Sequence, residues 1–227
     1  MHQTLLRMSL PSGRTLWPDE LRAVVARQDK LVDPLLMGRD ESGRTLPNPP
    51  VRFVGSRKWV GLVANPGCED LLYAHTGVVI KAASEQLGVP LPVVVEQHEL
   101  RLSRSHTPSF YAAMNVAFKR RNETARGKPE AELFVDRLRK GLERQALLFG
   151  IDCPMGDELE VANVRIDRQL GMGLKTDRGL TGEAVTLLTK VEFTMFAELR
   201  GFWFAGNLSS RGYGRILSLD YLARRAA

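Results

Sequence analysis

The stretch "VRFVGSRKWVGLVA", residues 51–64, decides the fold, because it predicts two short strands around a turn at Gly55–Ser56. A helix is predicted on each side of it. Before it, "WPDELRAVVARQ" (17–28) places a proline and acidic residues in a first helical turn. After it, "EDLLYAHTGVVIKAASEQLG" (69–88) starts with acidic residues and stops at a glycine. The hairpin therefore lies between two helices.

Two further strands complete this half of the chain. Residues 2–10 form a short, partly alternating apolar run, and "LPVVVEQHELRLS" (91–103) predicts another strand. The resulting order is β-α-β-β-α-β, which is the ferredoxin-like pattern. We expect a first domain over residues 1–103.

The second half resembles a repeat of this pattern. The stretch with the clearest helical spacing is "PEAELFVDRLRKGLERQALLFG", and strands are predicted before and after it; their ranges are 109–121, 158–170, 184–199 and 214–222. A convincing second helix is missing, so residues 104–227 predict a degraded copy. The expected fold class is α+β, with two tandem ferredoxin-like (RRM-like) domains, the second degraded, and a basic helical insert at about 119–149.

Composition narrows the class of partner. The chain has 227 residues, a formal net charge of +6 and an isoelectric point of about 9.6, so an anionic partner is plausible. Cys68 and Cys153 match no metal-binding spacing and indicate reduced thiols in a cytoplasmic protein. No secretory signal is recognised at the N-terminus, and no apolar stretch approaches the ~20 residues of a membrane span.

The positive charge is concentrated in one region. Residues 101–144 hold eleven cations and five acids, so the rest of the chain is balanced. The segment "KRRNETARGK" (119–128) is short of apolar residues, so it should project into solvent and contact phosphates. A solvated helix face with a flexible turn is the alternative interpretation. The candidate nucleic-acid-binding cations here are Lys119, Arg120, Arg121, Arg126, Lys128, Arg137, Lys140 and Arg144.

A glycine-rich, cationic loop, "AGNLSSRGYGRI" (205–216), lies near the C-terminus. It lacks the spacing of a nucleotide-hydrolase phosphate loop and the βαβ context of a dinucleotide-binding loop. Its glycines would let backbone N–H groups approach an anion, and its tyrosine offers a base-stacking face. A plain glycine-rich turn between strands is the alternative. The candidate nucleic-acid-binding residues are Gly206, Ser209, Ser210, Arg211, Gly212, Tyr213, Gly214 and Arg215.

The stretch "GNLSSRGYG" (206–214) fits the signature G-x-x-x-x-x-G-h-G of the repeat-associated RNA-binding superfamily of CRISPR systems. The longer stretch from Gly179 to Ile216 resembles the C-terminal part of the CRISPR RNA-processing endoribonuclease of type IV systems. "LWPDELRAVVAR" (16–27) is similar to the start of the first helix in that family, and the basic insert is similar to its RNA-gripping helical finger. The resemblance implies ferredoxin-like folds and cleavage of a repeat stem-loop.

The implied chemistry needs no metal or other cofactor. A ribose 2′-hydroxyl attacks the adjacent phosphate, and the enzyme must orient this attack and stabilise a dianionic phosphorane. Many relatives use a histidine as the base, but residues 16–32 contain none. Arg22, Arg39 and Arg44 are therefore the catalytic candidates. They would act by stabilising charge, because an arginine stays protonated at neutral pH.

Two functions remain open at this point. One is a metal-independent endoribonuclease that keeps its product within a CRISPR effector complex. The other is a non-catalytic RNA-binding subunit of such a complex. Both imply the same partners, namely CRISPR repeat RNA and the other effector subunits, with no membrane.

Overall fold

The computed structural model describes residues 1–28, 32–119, 128–153, 159–176 and 179–219. The chain divides into two units. The first holds Met1–Leu100 together with the short segment Ser209–Gly212. The second holds Arg101–Leu208 and the described residues from Tyr213 onward. Each unit has its own antiparallel sheet.

The first unit has the β-α-β-β-α-β order that the sequence predicts. Its elements are β1 (His2–Ser9), α1 (Pro18–Gln28), β2 (Val51–Gly55), β3 (Trp59–Ala64), α2 (Glu69–Leu87) and β4 (Val93–Glu99). The sheet order is β2-β3-β1-β4, and all pairs are antiparallel. This is the ferredoxin-like arrangement. Helix residues such as Leu21 and Val79 share one buried core with strand residues such as Leu6, Phe53 and Leu62.

The second unit repeats the strand order with one change. Its elements are β5 (Arg101–Lys119), α3 (Glu130–Phe149), β6 (Val161–Ile166), β7 (Gln169–Thr176), β8 (Gly179–Arg200), β9 (Trp203–Phe204) and β10 (Arg215–Ser218). The sheet order β6-β8-β5-β10 has the same topology as β2-β3-β1-β4, and β9 and β7 add to it. Where the first unit has its second helix, residues 201–214 contain only β9 and a 3₁₀ turn, Ser209–Arg211.

Helix α3 takes the place of the first helix in this repeated order and packs through its apolar face. The Phe134 ring meets the Phe193 ring of β8 edge-on, at 5.3 Å between centroids. Near the other end of the helix, the Gln145 amide donates to the Phe204 carbonyl oxygen at 2.8 Å. The Phe149 ring lies edge-on to the buried Trp203 ring, at 6.0 Å. The helix is thus fixed along its length to the second sheet.

Two of the strands predicted from the sequence are each interrupted in the structure. Residues 91–103 are not one strand, because β4 pairs with β1 while β5 pairs with β8 and the chain changes sheets at Leu100. Residues 158–170 are likewise divided into β6 and β7, which both pair with the 22-residue strand β8. Between them Asp167 donates its N–H to the Lys190 carbonyl oxygen, which holds the connecting turn against β8.

Candidate active site

Helix α1 places Arg22 at the edge of the first unit's core. The helix begins at Pro18, and Leu21 and Val25 are fully buried on its inner side. The side chain of Arg22 lies between these positions and is half-buried. Its Nη2 atom donates to the carbonyl oxygen of Met37 at 2.7 Å. This bond ties α1 to the buried turn that precedes the loop carrying Arg39.

Three arginines come together around this point. The pKa of Arg22 is lowered to about 10, mainly by burial and then by the charges of Arg211 and Arg39. Arg39 is exposed and Arg211 is half-exposed. Like charges gathered in a partly buried position are unfavourable unless an anion joins them. The arginine cluster, Arg22, Arg39 and Arg211, is therefore suited to bind a phosphate group.

Arg44 does not belong to the described charges that act on Arg22. Its N–H donates to the Asp40 carboxylate at 2.8 Å, and its carbonyl oxygen accepts from the Asp40 N–H at 2.9 Å. A bridge between Arg39 and Thr45 closes the same tight turn. Of the three catalytic candidates, the structure therefore brings together Arg22 and Arg39, and it adds Arg211, which the sequence had suggested only for RNA binding.

Arg211 is held in place by close packing of the 3₁₀ turn. Ser210 is 4 % exposed, and a Cβ atom at Gly38 would lie 2.5 Å from its Cβ. On the other side of Arg211, Gly212 has φ +82°, and a Cβ there would lie 2.8 Å from both the Phe53 carbonyl oxygen and Pro18. Only glycine fits these two positions without displacing the turn. The turn is thus seated within the first unit by contacts on both sides of Arg211.

The glycine-rich loop differs from the sequence-based expectation in one respect. The N–H of Gly212 donates to the Ser209 carbonyl oxygen, and the N–H of Gly214 donates to the carbonyl oxygens of Met114 and Asn115. Both N–H groups therefore have partners within the protein. The expectation that they approach an anion is corrected accordingly, because the two glycines allow close packing against protein backbone instead. Gly206 likewise packs against Ala117.

The remaining loop residues lie in the second unit. The Arg215 guanidinium lies over the Phe202 ring, 4.6 Å from its centroid, which is a cation–π contact. Tyr213 is partly exposed. The cation of the arginine cluster that this loop supplies is therefore Arg211.

Helix α3 presents three cations on one side. Arg137, Lys140 and Arg144 are spaced at i, i+3 and i+7, and the last two are exposed. Lys128 forms an ion pair with Asp136 at 2.8 Å, which offsets its charge. The candidates Arg120, Arg121 and Arg126, and the side chain of Lys119, lie outside the described residues. Of the insert's candidate cations, the structure therefore places Arg137, Lys140 and Arg144 along one side of α3.

The histidines occupy other parts of the chain. His75 of α2 lies 4.0 Å from the Asp33 carboxylate, and His98 of β4 lies 3.1 Å from Glu96. His106 is exposed on β5. Among the described residues, no three His, Cys, Asp or Glu side chains gather as a metal-binding group. None of the described helices is both long and apolar enough to cross a membrane.

Sequence reasoning missed two groups that shape the site. The Met37 carbonyl oxygen accepts the hydrogen bond from Arg22, and Gly38 leaves room for Ser210. The sequence signals Gly38 only as part of a loop, because its neighbour Ser210 comes from the opposite end of the chain.

Comparisons with known proteins agree with the family resemblance seen in the sequence. The family model described as "Type IV CRISPR-associated endonuclease Csf5" matches residues 1–220. A solved structure titled "Csf5, CRISPR-Cas type IV Cas6 crRNA endonuclease" is 31% identical, with a TM-score of 0.82, over 96% of this chain and 99% of that one. A Cas6b crystal structure shares the fold at 14% identity and a TM-score of 0.59, over 96% of this chain and 100% of that one. No curated protein sequence matches. The fold, the two-unit topology and the whole-chain match agree, and the chain belongs to the Csf5 family of type IV CRISPR-associated endonucleases.

Proposed function

We propose that this protein cleaves precursor CRISPR RNA at the repeat stem-loop, without a metal ion, and keeps the product within a CRISPR effector complex. The observation that carries the proposal is the arginine cluster. Arg39 and Arg211 lie close enough for their charges to act on the half-buried Arg22, whose pKa is lowered first by burial and then by this repulsion. A scissile phosphate bound there relieves this repulsion and gains charge in the transition state, where the cluster stabilises it most.

The reaction forms a bond from the ribose 2′-oxygen to the phosphorus and breaks the bond to the 5′-oxygen of the next nucleotide. The 2′-hydroxyl proton passes to solvent, and the leaving 5′-oxygen takes up a proton. The products are a cyclic phosphate and a 5′-hydroxyl end. Arg22 does not serve as the base, because a pKa of about 10 keeps it protonated at neutral pH. It holds the phosphate and neutralises charge.

Each arginine has a structural basis for its part. Arg22 is oriented by the Met37 carbonyl oxygen, so its guanidinium is fixed before the substrate arrives. The seated 3₁₀ turn fixes the backbone that carries Arg211. Arg39 is exposed and can adjust to the RNA backbone. One oriented cation, one on a fixed turn and one exposed cation suit a phosphate that changes geometry during the reaction.

Retention of the product would depend on α3. Its cations Arg137, Lys140 and Arg144, of which the last two are exposed, can follow the phosphates of an A-form stem, whose deep major groove side chains do not enter easily. Binding through these phosphate contacts does not require the bond that is cleaved, so the stem-loop product stays bound after cleavage.

The test is cleavage of repeat stem-loop RNA in the presence of a chelator. We expect cleavage with a cyclic phosphate product in EDTA, and Arg22→Ala should slow it roughly 10²–10³-fold with a much smaller loss of binding. Arg27→Ala is the matched control, because Arg27 is an exposed arginine of the same helix. Activity that disappears in EDTA and returns with magnesium would contradict metal independence. Tight binding with no cleavage would instead identify a non-catalytic RNA-binding subunit.

A further inference from the structure

Trp17 is an exposed tryptophan on a fixed stretch of backbone. Its side chain is 43% exposed, whereas Trp203 is 1% exposed. The backbone N–H of Trp17 donates to the Glu20 carboxylate at 2.8 Å, and its backbone carbonyl oxygen accepts from the Leu21 N–H at 2.8 Å. These bonds fix the main chain where α1 begins. A large flat ring is therefore presented to solvent at small conformational cost.

The neighbours of Trp17 connect it with the arginine cluster. The Pro18 ring lies against Gly212, so close that a Cβ there would be 2.8 Å away, and Gly212 directly follows Arg211. Arg22 lies further along the same helix. Trp17 thus stands at the start of the helix that carries one arginine of the cluster and next to the turn that carries another.

This arrangement fits a nucleotide. An RNA chain offers a flat base beside each phosphate, and an indole ring can stack on any base, because every base has a π-face. The base must be unpaired, because the bases of a stem are already stacked and paired inside it. The cations of the arginine cluster that the same helix and the adjoining turn carry favour an RNA strand over a basic protein surface.

We propose that Trp17 stacks on an unpaired base of the single-stranded RNA that flanks the repeat stem, next to the phosphate held by the arginine cluster. This inference rests on the proposed function and adds a specificity-determining residue to it. The stacked base fixes the RNA relative to the cluster. The enzyme thereby distinguishes a stem with a single-stranded flank from a stem alone.

The test measures binding without cleavage. Two RNAs are compared, a repeat stem-loop with its single-stranded flank and the same stem-loop with a blunt end, both with a 2′-deoxy nucleotide at the cut site. Trp17→Ala should weaken binding of the flanked RNA about tenfold and leave the blunt RNA nearly unchanged. Trp17→Phe should retain most of the affinity, since phenylalanine keeps a stacking face. Tyr73→Ala is the matched control, because Tyr73 is a 50% exposed aromatic residue on α2.

Fluorescence gives an independent readout. In a Trp59→Phe background the tryptophans are Trp17 and the buried Trp203. The flanked RNA should quench the emission of Trp17 more than the blunt RNA does. Equal affinity of Trp17→Ala and wild type for both RNAs, or an equal loss on both, would overturn the proposal. Failure of the wild type to cleave unmodified RNA would contradict the proposed function instead, so the two failures are distinguishable.

Discussion

Arg22 carries a positive charge at a position where folding makes that charge unfavourable. Its pKa falls from the ordinary value of an arginine to about 10 because of burial and of the nearby charges of Arg211 and Arg39. Between these two values the unfolded chain binds more protons than the folded one, so stability rises with pH in that window. At neutral pH the full cost of the charge is present. The site is thus held in an unfavourable state until an anion binds.

The direction of this pH dependence leads to a prediction about stability. We expect the unfolding midpoint of the wild type, relative to that of Arg22→Gln, to stay constant from pH 7 to 9 and to rise as the pH passes about 10. Urea unfolding of both proteins at matched pH gives the difference and cancels the general effect of alkali. A difference that stays flat through pH 11 would show that Arg22 keeps its ordinary pKa.

Gly38 offers a second test at this scale, with a matched control in the same loop. Gly38 and Gly43 both have positive φ, +67° and +79°, so alanine strains both positions. Only at Gly38 does the new Cβ meet Ser210, whereas Gly43 has open space around it. Gly38→Ala should therefore shift the turn that carries Arg211 and slow cleavage at least tenfold beyond Gly43→Ala. Equal cleavage rates for the two variants, measured below their unfolding temperatures, would show that Ser210 does not help to position Arg211.

At the scale of elements, α3 combines a packed face and a charged one. Neutralising Arg137, Lys140 and Arg144 to glutamine should reduce the slope of log affinity against log salt by about two to three units, since each lost phosphate contact removes roughly 0.7–0.9. The matched control neutralises three exposed cations elsewhere, Arg27, Lys81 and Arg165. The cut position should not move. An unchanged slope in the α3 variant would mean that this face does not contact RNA.

The elements also show where sequence patterns stop being informative. Helices α1, α2 and α3 begin and end within about a residue of their predicted bounds, because proline, acidic residues and glycines mark their ends. The junction at Leu100 has no such mark. Leu100 is buried and its N–H donates to the Met1 carbonyl oxygen. In the sequence it resembles one more strand residue, although the chain changes sheets there. A local pattern cannot show with which strand a segment pairs.

At the scale of the whole molecule, the same limit applies to the site. The sequence placed Arg22 and Arg39 together, because a loop following the first helix can reach the same region. It did not place Arg211 with them, since nothing local connects residues almost at opposite ends of the chain. It also included Arg44, which the structure leaves out of the cluster and places in a tight turn next to Arg39. The composition of the cluster follows from tertiary packing of the 3₁₀ turn.

The segment Ser209–Gly212 belongs to the first unit although the chain has passed through Arg101–Leu208 before reaching it. Protein synthesis proceeds from the N-terminus, and domains generally fold as they emerge. The first ferredoxin-like sheet is therefore made early, with Arg22 and Arg39 already in place. Its third arginine arrives only after translation of nearly all of the second unit. A nascent chain on the ribosome thus has an incomplete arginine cluster, and the order of synthesis itself makes the proposed phosphate-binding site one of the last parts of the molecule to be assembled.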